Sequence, residues 1–275
     1  MLGLGAEELG EHVAVAEAGA GIGAVHRARR LFFAARARFA EDRVAAAVDS
    51  GARQVVVLGA GLDTFAYRNP HPGLRVFEVD HPATQEWKRQ RLAAAGIEHA
   101  GAVTFVPVDF EVQSPAAELD AAGFDRAAPA VFVWLGVVYY LTPESVHGTL
   151  EHIAGQAAPV EVIFDYLQPG DTGEERAQLR ERAERVAAAG EPWFSYFTPE
   201  GIAGELRSLG LAEVEDLSAA ELVAGYLDDP AEFRGEPPSA LRASRILRAG
   251  RSRRGEEGHG QGRGARTEES AATEC

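Results

Sequence analysis

Two glycines and one aspartate carry the clearest chemistry in this chain. Gly59 and Gly61, in VVVLGAGLDTFAYR (residues 55–68), directly follow an uninterrupted apolar run, and Asp80 stands 19 positions beyond Gly61, at the end of the next such run. Glycine has no Cβ, so a ligand can approach the backbone closely there. A carboxylate at a strand tip can accept hydrogen bonds from both hydroxyls of a ribose. The combination points to a ligand that contains adenosine, and nothing in it requires a pyrophosphate. A dinucleotide fingerprint calls for a third glycine where this chain has Thr64, and a P-loop calls for Gly-Lys-Ser/Thr, whereas the sole lysine is Lys88. S-adenosylmethionine satisfies the description, because its cationic sulfonium suits acidic surroundings. A second glycine cluster, Gly19, Gly21 and Gly23, has no strand before it and no acid about 20 residues later, and reads as a flexible lead-in over residues 1–23.

The other chemistry-bearing residues are more ambiguous. Asp63 and Thr64 either touch the ligand or cap the helix after the turn. Tyr139 and Tyr140 follow an apolar run at the end where doubly wound sheets open to ligands; by alternation, one is expected to face the acceptor and the other to pack. Trp134 lies inside the same run and reads as core. The segment WFSYF (193–197) is either an aromatic wall over an acceptor, with Trp193 in it, or a hydrophobic plug. His81 adjoins the ribose acid. His147 and His152 fall five apart, not at the i,i+4 spacing of a helical metal pair, so no metal site and no catalytic base is legible.

The elements that would position these residues alternate. Apolar strands at 54–58, 74–79, 103–108, 130–138 and 160–164 are separated by helical segments. Several helix ends are marked: Pro82 at a first turn, Gly96 at a C-terminus, Ser114 and Thr142 as N-caps, Pro143 behind the latter, and Thr198 with Pro199. Near-continuous apolar strands are those covered on both faces, so the fold class expected is α/β, a doubly wound, mostly parallel Rossmann-like sheet. Two late strands, AEVEDL and ASRILRAG, bring the count to seven. One long helix or two short ones over 24–50 form an N-terminal extension, residues 24–250 form one domain, and 251–275 have too little apolar content to fold.

Composition narrows the function classes. The chain has 275 residues, is 46% hydrophobic and carries a formal charge of −15, which disfavours a nucleic-acid partner. Its single cysteine, Cys275, excludes an internal disulfide and a multi-cysteine metal site. The N-terminus lacks the pattern of an export signal and no run of 18 apolar residues occurs, so a cytoplasmic protein with no membrane partner is expected. The sequence does not specify an oligomeric state.

Five blocks in order, QVVVLGAGLDTFAYR, RVFEVDHPATQEWKRQRL, VTFVPVDFE, AVFVWLGVVYYLTPESV and VIFDY, resemble the leucine carboxyl methyltransferase-like branch of the class I S-adenosylmethionine-dependent methyltransferases, in particular its bacterial members. The similarity runs from about residue 27 to 226. It implies that Gly59, Ala60 and Gly61 lie beneath the methionine part of the cofactor and that Asp80 holds the ribose, with Glu78 on the same strand face as a second candidate. It further implies that Asp109 and Phe110 read the adenine and that Arg36, or less favourably Arg38, clamps the cofactor's carboxylate. The chain departs from the family at Phe65, where an arginine is frequent, and at Leu135, where leucine carboxyl methyltransferases have a glutamate. The function implied is methylation, with O-methylation of a small carboxylate or hydroxyl acceptor as the expected reaction. The competing readings are an NAD(P)-dependent oxidoreductase and a non-catalytic binding protein of the same fold.

Overall fold

A computed structural model describes residues 22–97, 101, 103–109, 113, 115–227 and 239–251. The expected lead-in before residue 22, the tail beyond 251, and the candidates Phe110 and Ser114 lie outside the described residues. Gly23 falls in the first turn of the first helix.

The chain forms a seven-stranded sheet with the order β3-β2-β1-β4-β5-β7-β6. In sequence these are β1 (Gln54–Leu58), β2 (Arg75–Asp80), β3 (Val103–Pro107), β4 (Ala130–Trp134), β5 (Val160–Leu167), β6 (Glu213–Ser218) and β7 (Ser244–Gly250). The first five pair in parallel, and β7 runs antiparallel to both β5 and β6. This is the mostly parallel, doubly wound α/β architecture the apolar runs predict.

Strand alternation sorts the core into two layers. Val56, Leu58, Phe77, Val79 and Phe132 face one side. There they meet α4 (Pro115–Ala121), α5 (Pro143–Ala154) and α7 (Pro199–Ser208) through Leu119, Leu150, Ile153, Ile202 and Leu206. Val55, Val57, Val76 and Val131 face the other side, against α1 (Ile22–Asp49), whose Ala28, Phe32, Ala35, Phe39, Val44 and Ala47 form a stripe at helical spacing. The short α8 (Ala219–Ala224) and α9 (Ser239–Arg242) share that layer. Every residue of β1 and β4 is buried, as strands covered on both faces must be.

The capping signals act as their chemistry requires. Thr142 and Thr198 accept from the backbone N–H groups of Ser145 and Gly201, with Pro143 and Pro199 in the first helical turns. Gly96, at φ +65°, follows the C-terminus of α3 (Pro82–Ala94). Of the two cap candidates at the glycine turn, Asp63 is the one used: its Oδ1 accepts from Phe65 N–H at 2.7 Å, opening α2 (Phe65–Arg68), whereas Thr64 makes no side-chain cap.

Two strand boundaries differ from expectation by more than one residue. β4 stops at Trp134 rather than at 138, because Gly136 sits at φ +76° and its N–H donates to Asp165 instead of to the ladder. β5 runs on to Leu167 rather than ending at 164, because β7 pairs with it from Glu161 to Leu167.

Candidate active site

Chain order reverses between β1, whose successor β2 lies on one side, and β4, which lies on the other. In such sheets the carboxyl ends of the strands diverge at this point and leave a crevice. The glycine turn opens directly into it.

The turn is fixed to the tip of β2 by three backbone donors. Gly59 and Ala60 N–H both donate to Val79 O, at 2.8 and 3.1 Å, and Gly61 N–H donates to Asp80 Oδ2 at 2.5 Å. Asp80 Oδ1 accepts from His81 N–H at 2.6 Å, so the carboxylate orientation is set at both oxygens while the residue stays partly exposed. Gly59 has φ +64°, and a Cβ there would lie 2.5 Å from Val137 Cγ2, so no other residue fits without a shift. Gly61 differs: it has φ +45°, but a Cβ would meet only Gly59 O, at 4.0 Å, which leaves its outer surface open to a ligand. Beside this tip, Val108 N–H donates to Asp80 O at 2.8 Å, which brings Asp109 alongside the same crevice.

Glu78 occupies the same strand face but a different environment. It is 1% exposed, and Oε2 takes Lys88 Nζ at 2.7 Å, with the Tyr67 hydroxyl at 3.4 Å. Burial pushes its carboxyl above the usual range, and the lysine pulls it back. The second ribose candidate is thus sealed beneath α3, where it pairs with the chain's sole lysine; the structure does not bring it to the crevice surface. Arg38 likewise points elsewhere, pairing with Asp42 one turn on at 2.8 Å.

Across the crevice, the break after β4 organises a second cluster. Leu135 packs on the α1-side core and Val138–Tyr140 form a single 3₁₀ turn. The two tyrosines therefore do not alternate as they would on a strand. Both are partly buried, with ring centroids 4.7 Å apart. Arg36, reaching in from α1, donates from Nη1 to Asp165 Oδ2 at 2.6 Å, and Gly136 N–H donates to Asp165 Oδ1 at 2.6 Å. The hydroxyl of Tyr139 lies beside this pair, and burial together with Asp165 raises its pKa, keeping it protonated. Tyr140 is pushed up to about 12 by burial and by Glu191.

The aromatic segment 193–197 serves in part as a plug. Phe194 N–H donates to Tyr139 O and Phe197 N–H to Leu167 O, which straps the segment over the strand ends. Ser195 and Phe197 turn inward, the former donating from Oγ to Val138 O at 2.9 Å, the latter edge-on to Tyr166. Trp193 stays at the crevice, with its ring 5.8 Å from that of Tyr139 and the Arg182 guanidinium 4.9 Å from its centre. Arg182 comes from α6 (Gly173–Ala188), and burial plus the neighbouring cations Arg29 and Arg185 push its pKa down to about 10.

Trp134 is core, at 2% exposed. His81 caps α3 and His147 pairs with Glu205 at 2.8 Å. Among the described residues no cluster of His, Cys, Asp or Glu is placed to hold a metal, and no helix is long and apolar enough to cross a membrane. Sequence reasoning missed Asp165, Gly136 and Arg182. An aspartate inside the apolar run VIFDYL was the available signal for the first, since a buried charge in a strand needs a partner.

Residues 9–154, more than half of the chain, match the model of the family described as leucine carboxyl methyltransferase. The chain belongs to the leucine carboxyl methyltransferase family. Two curated relatives accord with this membership. "Putative S-adenosyl-L-methionine-dependent methyltransferase YktD" of Bacillus subtilis (strain 168) is 37% identical over 193 residues, covering 68% of this chain and 63% of that protein. A "Putative S-adenosyl-L-methionine-dependent methyltransferase" of Mycobacterium avium (strain 104) is 38% identical over 149 residues, 54% of this chain and 49% of that one. The chain therefore spans from about half to somewhat under two thirds of these relatives' length. Among solved structures, one described as "a putative methyltransferase from Thermobifida fusca YX" shares the fold, with a TM-score of 0.61 at 19% identity over 82% of each chain.

Proposed function

We propose that this member of the family binds S-adenosylmethionine at the carboxyl ends of β1 and β2 and catalyses O-methylation of a small carboxylate or hydroxyl acceptor. The observation that carries the reading is the bond between Gly61 N–H and the Asp80 carboxylate, which joins the open glycine to the acid at the next strand tip. Family membership and the names of the two relatives support the same conclusion.

The residues present fit this cofactor. The Gly59 cradle has no room for a Cβ, Gly61 is open, and Asp80 has accepting capacity left on both oxygens after its two backbone bonds. Arg36 has a buried Nε without a partner, a vacant donor suited to a carboxylate. In this reading Gly59, Ala60 and Gly61 carry the methionine end, Asp80 takes the ribose hydroxyls, Asp109 the adenine amine, and Arg36 the carboxylate. S-adenosylmethionine, when bound, supplies an electrophilic methyl group. The chain's own task is to hold an acceptor oxygen in line with it, and such orientation is worth several kcal/mol, roughly, without a dedicated base. Tyr139, Tyr140 and Trp193 form the wall against which an acceptor would rest, and the protonated Tyr139 hydroxyl can donate to an acceptor oxygen. An oxidoreductase draws no support, since the third-glycine position remains Thr64.

The reaction is tested by incubating the full chain with S-adenosylmethionine and panels of small carboxylic acids and phenols or alcohols, and measuring S-adenosylhomocysteine. Turnover dependent on either class is expected. Turnover only with amine or thiol acceptors contradicts the O-methylation claim.

A further inference from the structure

Asp165 is a buried carboxylate beside the crevice. It is 3% exposed within the otherwise apolar run of β5, and each oxygen has one donor: Arg36 Nη1 at 2.6 Å and Gly136 N–H at 2.6 Å. A carboxylate so buried is costly unless it is paired and hydrogen-bonded, and here it is both. If the pair served only to brace α1 against the sheet, the strongest arrangement would be the two-pronged one, in which a carboxylate spans two guanidinium nitrogens. Asp165 instead takes a single terminal nitrogen, and Arg36 Nε is left buried with no hydrogen-bond partner. That orphan donor lies on the edge of the guanidinium away from Nη1. An arginine fixed at one end, with an unfilled donor along its side, is arranged for a second acceptor.

Gly136 contributes to the same arrangement. Its φ of +76° breaks the strand and turns its N–H onto Asp165, and a Cβ at this position would sit 3.5 and 3.6 Å from the two Arg36 terminal nitrogens and 3.8 Å from the Tyr139 hydroxyl. The carboxylate is thereby oriented by the backbone before it orients the arginine. Charge is also accounted for. The Arg36–Asp165 pair is neutral, and so is an α-amino-acid head group, which carries one carboxylate and one ammonium, so docking one against the other leaves no net charge buried.

We propose that Asp165 is a positioning residue: by holding Arg36 through Nη1 it presents the Nε edge to the carboxylate at the amino-acid end of the cofactor. The proposal rests on the methyltransferase reading above. Its test compares two ligands by calorimetry on the full chain. S-adenosylhomocysteine has the amino-acid end; 5′-methylthioadenosine keeps the adenosine and the thioether but lacks it. Asp165→Asn is expected to weaken S-adenosylhomocysteine by at least about tenfold and 5′-methylthioadenosine by less than about twofold. Equal losses for both ligands would mean a general distortion of the crevice and overturn the proposal, as would an unchanged affinity for S-adenosylhomocysteine. Should Asp165→Asn fail to fold, the unsubstituted protein gives the answer through the Arg36 Nε–H resonance. That signal is expected to shift with S-adenosylhomocysteine and not with 5′-methylthioadenosine, and a signal indifferent to both, in a protein that binds both, overturns the proposal. Failure of the unsubstituted protein to bind S-adenosylhomocysteine at all is a separate result, which removes the methyltransferase reading itself.

Discussion

The two sides of the crevice are built on different principles. On the β2 side, backbone atoms do most of the work: three N–H groups of the glycine turn reach Val79 O and the Asp80 carboxylate, and all the residues concerned fall within 59–80. On the β4 side, the parts come from four distant segments: Arg36 from α1, Gly136 and Tyr139 from the strand break, Asp165 from β5, Arg182 and Trp193 from α6 and the strap after it. The first side can bind only what fits a fixed backbone, which suits a cofactor common to a whole family. The second is shaped by side chains: Arg36, held by Asp165, suits the cofactor's carboxylate, while Tyr139 and Trp193 can change one at a time, which suits an acceptor.

The largest effect expected is on stability and comes from behind the β2 side. Lys88→Met leaves the Glu78 carboxylate buried without its cation, which should cost about 3–5 kcal/mol in a urea titration. Combining it with Glu78→Leu should recover most of that loss, because replacing both partners of a buried pair with apolar groups is close to neutral. If Lys88→Met were harmless to folding yet abolished cofactor binding, Glu78 and Lys88 would belong to the site and the boundary drawn between the two carboxylates would fall.

Gly59→Ala ranks next. It introduces a Cβ at φ +64° and 2.5 Å from Val137 Cγ2, and about 2 kcal/mol of stability should be lost, with the midpoint of thermal unfolding as the readout. Because Val137 belongs to the β4 break, this substitution also strains the contact between the two sides. Asp80→Ala removes the acceptor of the Gly61 and His81 N–H groups, so it should cost about 1–2 kcal/mol of stability and also weaken S-adenosylhomocysteine by at least about tenfold, or about 1.4 kcal/mol. The smallest effect is expected on the far wall: Trp193→Ala should change S-adenosylhomocysteine affinity by less than about threefold. A loss there as large as that for Asp80→Ala would show that Trp193 belongs to the cofactor site rather than to the acceptor wall.

The same contrast explains what the sequence reveals unaided. Gly59, Gly61 and Asp80 are legible because backbone geometry forces particular residue types at particular spacings along one βαβ unit. The sheet itself is legible from apolar runs that strands buried on both faces require. On the β4 side Tyr139, Tyr140 and Trp193 are legible as candidates, but how the cluster assembles is not, because its contacts join residues as far apart as Arg36 and Asp165, and no local pattern records such a pairing. Gly136 shows the cost: the apolar run continues through VVYYL, so a strand to 138 is the natural reading, and only the tertiary bond from its N–H to Asp165 explains the stop at Trp134. Glu78 errs in the other direction. Its position two residues before Asp80 suggests a shared role, whereas Lys88 on α3 claims it for the core.

The central claim is that the glycine turn and Asp80 form an S-adenosylmethionine site. Calorimetric titration of the full chain with S-adenosylhomocysteine tests it most directly. The account predicts saturable binding at one site per chain, tighter than about 1 mM, or about −4 kcal/mol, and weakened at least about tenfold by Asp80→Ala. No binding in that range by the unsubstituted protein would contradict it.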